Sequence, residues 1–199
     1  MATATATSAG GAGYPIQYDV AYPDHLSRGL IFIKWLLAIP HIVVLYLLTL
    51  AWEVVTFIAF FAILFTKKYP AGLFKFSVGV RRWQANVNAY VWLLRDEYPP
   101  FSMDPGQYAV AYDVAYPEEL SRWLIFVKWL LIIPNVIVMF LFAIVAWLLT
   151  VVAWFAILFT GAYPRSLFTF VVGVLRWSER VNGYLSLFTD AYPPFSTSP

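Results

Sequence analysis

LSRGLIFIKWLLAIPHIVVLYLLTLAWEVVTFIAFFAILFT, residues 26–66, is the stretch on which the reading of this chain turns, and it occurs twice. The second copy, residues 120–160, reads LSRWLIFVKWLLIIPNVIVMFLFAIVAWLLTVVAWFAILFT. Each copy is far longer and more apolar than a buried helix of a soluble domain, which makes lipid its expected solvent. Composition agrees: 61% of the residues are hydrophobic and 12% charged, where an ordinary soluble domain has about 45–50% and about 25%. A formal charge of +2 is too small to suggest a nucleic-acid partner. The absence of cysteine excludes disulfides, thiolate metal sites and a cysteine nucleophile.

Outward from this stretch the duplication continues. Tyr14–Ser102 aligns without a gap on Tyr108–Ser196, with roughly half of the positions identical. Pro40 matches Pro134, Lys34 matches Lys128, Arg82 matches Arg176 and Asp96 matches Asp190. The expected organisation is a tail at 1–13, a membrane repeat at 14–102, a linker at 103–107, a second membrane repeat at 108–196 and a short tail at 197–199. The linker, MDPGQ, carries an Asp-Pro-Gly turn signal, so the copies should pack directly on each other. The opening MATATATSAGGAG has neither a basic nor an apolar region, so it reads as a disordered tail and not as a signal peptide.

Each repeat begins with a period-two alternation, Ile16, Tyr18, Val20 and Tyr22 in one copy and Val110, Tyr112, Val114 and Tyr116 in the other. That predicts short extended arms, pairing with each other or with the closing segments Tyr98–Phe101 and Tyr192–Phe195. Pro23 and Pro117, followed by acids, predict a helix start. Pro40 and Pro134 should then kink or break that helix, because proline lacks the donor and clashes with the preceding turn.

As one straight helix, residues 26–66 would be roughly 60 Å long, about twice the hydrocarbon thickness of a bilayer. Two arrangements remain. In the first, each copy is a membrane hairpin with its apex near Thr49–Val54. In the second, the part before Pro40 lies along the interface and His41–Thr66 alone crosses. Matching basic residues in the two copies favour the hairpin, which places all thirteen basic residues and both termini on the cytoplasmic side. Against it, the apex has Glu53 but no Gly or Pro, and the matching Ala143–Leu148 has no charge. The single crossing requires the copies to insert in opposite directions.

A second helix should start at Pro70 and Pro164. Leu73, Phe76, Val80 and Trp83, continued by Val87, Tyr90 and Leu94, form a stripe at spacings of three and four, repeated as Leu167, Phe170, Val174 and Trp177. Arg81, Asn88 and Arg95 fall on the opposite side. The stripe suits either a helix lying in the cytoplasmic interface or a packing seam against the membrane helices or another subunit. Tyr-Pro pairs at the junctions and Trp35, Trp83, Trp129 and Trp177 read as interfacial anchors.

Catalytic motifs are missing: there is no nucleophile triad, zinc-type His pair, phosphate loop or dinucleotide fingerprint. No enzyme activity, cofactor or metal is expected. His41, unrepeated and in an apolar setting, is the single candidate ligand for a pigment or haem iron. Glu53 is the one acid within an apolar run, and its counterpart is Trp147. The repeated basic residues Lys34 and Lys128, Arg28 and Arg122, and Arg82 and Arg176 are candidate contacts for lipid headgroups or a protein partner, against a background in which such lysines merely snorkel.

The run YDVAYPEELSRWLIFVKWLLIIP, followed by AWFAILFTGAYPRSLFTFVVGVLRW and TDAYPPFS, resembles a prokaryotic membrane family catalogued as a domain of unknown function. Both copies carry it, and the resemblance implies no activity. The first copy is the more divergent, with Gly29 for Trp123 and Lys67-Lys68 for Gly161-Ala162. The expected fold is therefore an all-α integral membrane protein of two tandem repeats, each a kinked membrane hairpin plus a long amphipathic interfacial helix, with short extended arms. The expected place is the prokaryotic inner (plasma) membrane, with termini and amphipathic helices cytoplasmic. The expected role is a scaffold or accessory subunit in the lipid bilayer, packing as a homo-oligomer or in a larger membrane complex. The second expectation is a lipid or small-solute binder or transporter with a site between the repeats.

Overall fold

The two arms find each other. In the computed structural model, which describes residues 13–199, strand β1 (Ile16–Val20) pairs antiparallel with β2 (Val110–Val114). The tail expectation, apart from Gly13, lies outside the described residues. Tyr18 pairs with Tyr112, its own counterpart, so a pseudo-twofold axis passes between them. Ile16, Tyr18 and Val20 are buried while Gln17 and Asp19 are exposed, and β2 repeats the alternation.

The rest of each repeat is helical. The first holds a 3-10 turn at Leu30–Phe32 and then α1 (Lys34–Leu37), α2 (Ile39–Thr66) and α3 (Ala71–Val91). The second holds α4 (Leu124–Leu131), α5 (Ile133–Thr160) and α6 (Arg165–Leu185). Pro40 and Pro134 fall in the first turn of α2 and α5, where a missing donor is harmless, and they divide these helices from α1 and α4. The starts at Pro70 and Pro164 are N-caps, as the sequence predicts.

The helix predicted at Pro23 and Pro117 begins later. Leu26 and Leu120 donate their backbone N–H across the molecule to Gly161 O and Lys67 O, and the N–H of Ser27 and Ser121 goes to the carboxylates of Asp96 and Asp190. With those donors turned outward, the helical turn starts only after Ser27 and Ser121, whose Oγ atoms accept from Leu30 and Leu124.

The hairpin apex at Thr49–Val54 is absent, because α2 runs through it unbroken for 28 residues, about 42 Å of helix. No Gly or Pro interrupts it, and nothing else there reverses the chain. The reversal comes after Thr66, where Lys67 (φ +60°) takes the left-handed conformation, as does Gly161 (φ +73°) in the other repeat. Each hairpin is therefore α2 with α3, and α5 with α6. Both α2 and α5 are long and apolar enough to cross a membrane.

The repeats also exchange their arms: β1 packs on α6 and β2 on α3. Arg176 Nε donates to Tyr18 O at 2.7 Å, Nη1 to Thr197 O at 3.0 Å and Nη2 to Asp19 at 2.8 Å. Arg82 repeats this on Tyr112 O, Met103 O and Asp113. Of the predicted polar side of α3, Arg81 is buried beneath the ribbon while Asn88 stays exposed, and α3 and α6 are buried on most sides. Their apolar stripe faces their own long helix, with Trp83 and Val87 against Leu45, and Trp177 and Val181 against Ile132.

Exchange also sets the direction of the long helices. Phe32, entering α2, packs on Trp154 near the exit of α5, and Phe126, entering α5, packs on Phe60 near the exit of α2. So α2 and α5 run antiparallel, and the common orientation of the copies expected from their charges does not occur. In α2 only His41, Leu45, Ala59 and Ile63 are buried, and in α5 only Asn135, Ala146, Ala153 and Ile157. The remaining apolar surface is open, including Phe57, Phe65, Phe140 and Phe159.

One contact records the exchange at single-atom scale. A Cβ added at Gly183 on α6 would overlap Cδ1 of Ile16 from the other repeat. The corresponding residues in the other half are Ala89 and Val110, a larger helix residue with a smaller strand residue. Gly183→Ala is expected to destabilise the protein by about 1–3 kcal/mol, and Ile16→Val in the same chain to recover most of it. Thermal unfolding of the two single variants and the double variant checks this; additive losses would contradict the contact.

Candidate functional site

Beneath the ribbon, α3 and α6 meet in a buried ion pair. Arg81 Nη2 donates to Glu179 Oε2 at 2.7 Å, and both residues are under 10% exposed. Arg81 Nη1 also donates to Gln84 Oε1, whose Nε2 donates to Thr49 on α2, and the guanidinium lies over the Trp52 ring. Burial alone pushes the Arg81 pKa down, but Glu179, with Tyr112 behind it, more than offsets this and leaves it raised. The hydroxyls of Tyr18 and Tyr112 are buried without a hydrogen-bond partner among the described residues. The counterparts of Arg81 and Glu179 are Leu175 and Ala85, so the pair exists once and a repeat comparison passes over it.

The repeated basic residues do not converge. Lys34 is buried, donating to Arg95 O at 2.7 Å and Asp96 at 2.8 Å beside the Tyr90 ring. Lys128 does the same with Thr189 O, Asp190 and Tyr184. Burial pushes both ammonium groups below their usual pKa, against the pull of Asp96 and Asp190. These lysines tie α1 and α4 to the ends of α3 and α6 and are turned inward onto their own carboxylate partners. Arg82 and Arg176 hold the ribbon. Arg28 is exposed, and Arg122, also exposed, donates to Phe65 O at 3.0 Å. Leu73, Phe76, Leu167 and Phe170 are half-buried, while Val80, Trp83, Val174 and Trp177 are buried within the chain.

His41 is held within the chain. It is fully buried, Trp83 Nε1 donates to its Nδ1 at 3.0 Å, and Phe101 stacks on it at 3.9 Å. Asn135 fills the same role in the other repeat, accepting from Trp177 at 2.6 Å and donating to Pro193 O. An amide that replaces an imidazole is serving as a hydrogen-bonding spacer. Glu53 is exposed near the middle of α2 without an ion-pair partner among the described residues. No group of three or more His, Asp or Glu among the described residues is placed to hold a metal.

At one side of the ribbon lies a cavity of about 280 Å³ lined by both repeats: Tyr14, Gln17 and Asp19 from the first, Arg176 and Arg180 from the second. Arg176 is engaged with the ribbon. Arg180, 5% exposed, makes no hydrogen bond or ion pair through its side chain among the described residues, and its Nε is buried without a partner. Its counterpart is Asn86, so sequence symmetry gave no signal for it.

Because the buried ion pair exists in one orientation only, it can be removed by making the halves alike. Glu179→Ala alone leaves Arg81 buried and unpaired, with an expected loss of about 3–5 kcal/mol. Arg81→Leu with Glu179→Ala restores the counterpart residues and is expected to be near neutral or stabilising. Chemical unfolding in mild detergent distinguishes these; a double variant as unstable as the single one contradicts the assignment.

The comparisons with known proteins bear on the whole chain. No curated protein and no solved structure matches it. One family model does, described as a domain of unknown function, DUF4389, and it matches twice in tandem, at residues 28–103 and 122–197. The chain therefore belongs to the DUF4389 family, as two tandem copies of its domain.

Proposed function

We propose that this protein is a non-enzymatic membrane scaffold or accessory subunit, seated in one leaflet of a prokaryotic inner membrane by α2 and α5, and packing through its other surfaces with itself or a larger complex. The observation that carries this reading is the open apolar surface of two antiparallel helices whose middles lie level with a charged ribbon. Arg81 sits over Trp52 at mid-α2, and its neighbour Arg82 holds Tyr112 in the ribbon. If α2 stood across the bilayer, the exposed carboxylates of Asp113, Asp19 and Glu53 would lie near its centre, at a cost of several kcal/mol each. With α2 and α5 in the plane of the interface, all three carboxylates have access to water.

Charge placement fits the same seat. Arg28 and Arg165 lie at one end of the α2/α5 pair, and Lys67, Lys68 and Arg122 at the other, so a positive-inside bias has no direction in which to act. The in-plane seat puts both described ends of the chain on one aqueous side, proposed as the cytoplasmic one. The second reading, a binder of lipid or small solute, draws support from the cavity lined by both repeats, but none from Lys34 and Lys128, which have internal partners.

The chain has no cysteine, so single cysteines can be introduced cleanly. Arg28→Cys and Lys68→Cys stand at opposite ends of α2. In sealed inner-membrane vesicles both are expected to react with an impermeant maleimide from the same side, together with Asp113→Cys. Labelling of Arg28→Cys and Lys68→Cys from opposite sides would mean that α2 crosses.

A further inference from the structure

We propose that the cavity beside the ribbon is a binding site for one small oxyanion, a phosphate or carboxylate group, held by Arg180. The inference goes beyond the scaffold reading and does not depend on how the protein sits in the membrane.

The cavity is built from charge that the fold leaves uncompensated. Its lining carries three ionic side chains, Asp19, Arg176 and Arg180, and Pro199, whose carboxylate makes no ion pair with Arg180. Asp19 and Arg176 neutralise each other at 2.8 Å, and Arg176 makes two further bonds to ribbon and C-terminal carbonyls. Arg180 is what remains: a guanidinium nine-tenths buried, with no carboxylate or carbonyl bonded to it among the described residues. Glu179, next to it in sequence, is engaged with Arg81. The twelve residues ahead of Gly13 contain no Asp or Glu. An unpaired buried cation is costly, and in a lined cavity the group that relieves the cost is an anion.

Shape narrows the ligand. Tyr14 places its ring 5.7 Å from the Arg180 guanidinium carbon, and the Tyr14 hydroxyl is tied to Ala191 O, so the ring is fixed in place. The edge of a guanidinium presents its donors as a fork that matches two oxygens of a phosphate or carboxylate. Gln17, exposed on β1, adds an amide at the rim, and Ile16 and Ala111 supply apolar walls. Burial, with Arg176 behind it, lowers the Arg180 pKa, as expected for a cation lacking its counter-ion. Asn86 stands at the matching position of the other repeat, so the stoichiometry is one anion per chain.

The test is calorimetric titration of the full chain in neutral phosphatidylcholine nanodiscs with inorganic phosphate and, separately, acetate. The expected result is one site per chain for at least one of them. Arg180→Gln is expected to weaken binding about ten- to hundred-fold, and Arg180→Lys, which keeps the charge but loses the fork, about ten-fold. Without added anion, Arg180→Gln should melt at or above the parent temperature, since it removes an unpaired charge. A purely structural arginine would instead make that variant melt lower. Discs containing phosphatidylglycerol separate the sources: unchanged phosphate binding points to a soluble anion, and its loss there alone assigns the oxyanion to a lipid headgroup in the same site. No binding by the parent chain, or equal binding by Arg180→Gln, overturns the proposal.

Discussion

The exchange of arms between the repeats, held by Arg82 and Arg176, is the constraint on which the rest of the molecule depends. Each arginine reaches from a helix of one repeat to the backbone of a strand from the other, with three donors engaged in almost the same pattern. A two-stranded ribbon alone is marginal in water, so its stability comes from this anchoring and from the apolar undersides of Ile16, Tyr18 and Val20 and their counterparts. Once the strands pair about Tyr18 and Tyr112, the twofold relation follows for everything attached to them. The long helices then run in opposite directions, and α3 and α6 are brought together beneath the ribbon.

Burial of polar groups follows from that closure. Lys34 with Asp96, and Lys128 with Asp190, join the start of each helical unit to its end, and the same carboxylates hold Ser27 and Ser121. Arg81 and Glu179 meet at the contact between repeats, where Leu175 and Ala85 show that an apolar solution also fits the sequence. Such pairs are weak sources of stability and stronger determinants of which faces meet. The charged centre and the apolar helices are then segregated by level: the ribbon lies beside the middle of α2, while the open apolar surface belongs to α2 and α5. This segregation is what makes an in-plane seat physically reasonable for helices that are also long enough to span.

What was legible in the sequence was local. Period two at Ile16–Tyr22 predicted a strand or extended arm, Pro40 and Pro70 marked helix boundaries, and the spacing of Leu73, Phe76, Val80 and Trp83 marked a helix with one apolar stripe, left open between an interfacial face and a packing seam. The misreadings were non-local. The apex at Glu53 was inferred from bilayer thickness, although no residue there can turn the chain, and the turn at Lys67 required a left-handed conformation that lysine does not advertise. Arg81 was placed on the polar side of the helix and Arg82 among candidate headgroup or partner contacts, because nothing in α3 reveals that a strand over twenty residues later lies on it. Matching Lys34 with Lys128 and Asp96 with Asp190 contained the ion pairs, but reading lysines and aspartates separately hid them. Arg180 and Glu179, being unrepeated, had no such signal at all.

Orientation of the helices in aligned bilayers tests the account most directly. Because α2 and α5 are antiparallel and α3 and α6 pack along them, all four long helices lie close to one direction, and polarised infrared dichroism of the amide I band reads that direction. The account predicts transition moments lying in the bilayer plane. Dichroism along the membrane normal would contradict it, and would place the ribbon and its aspartates at the centre of the bilayer.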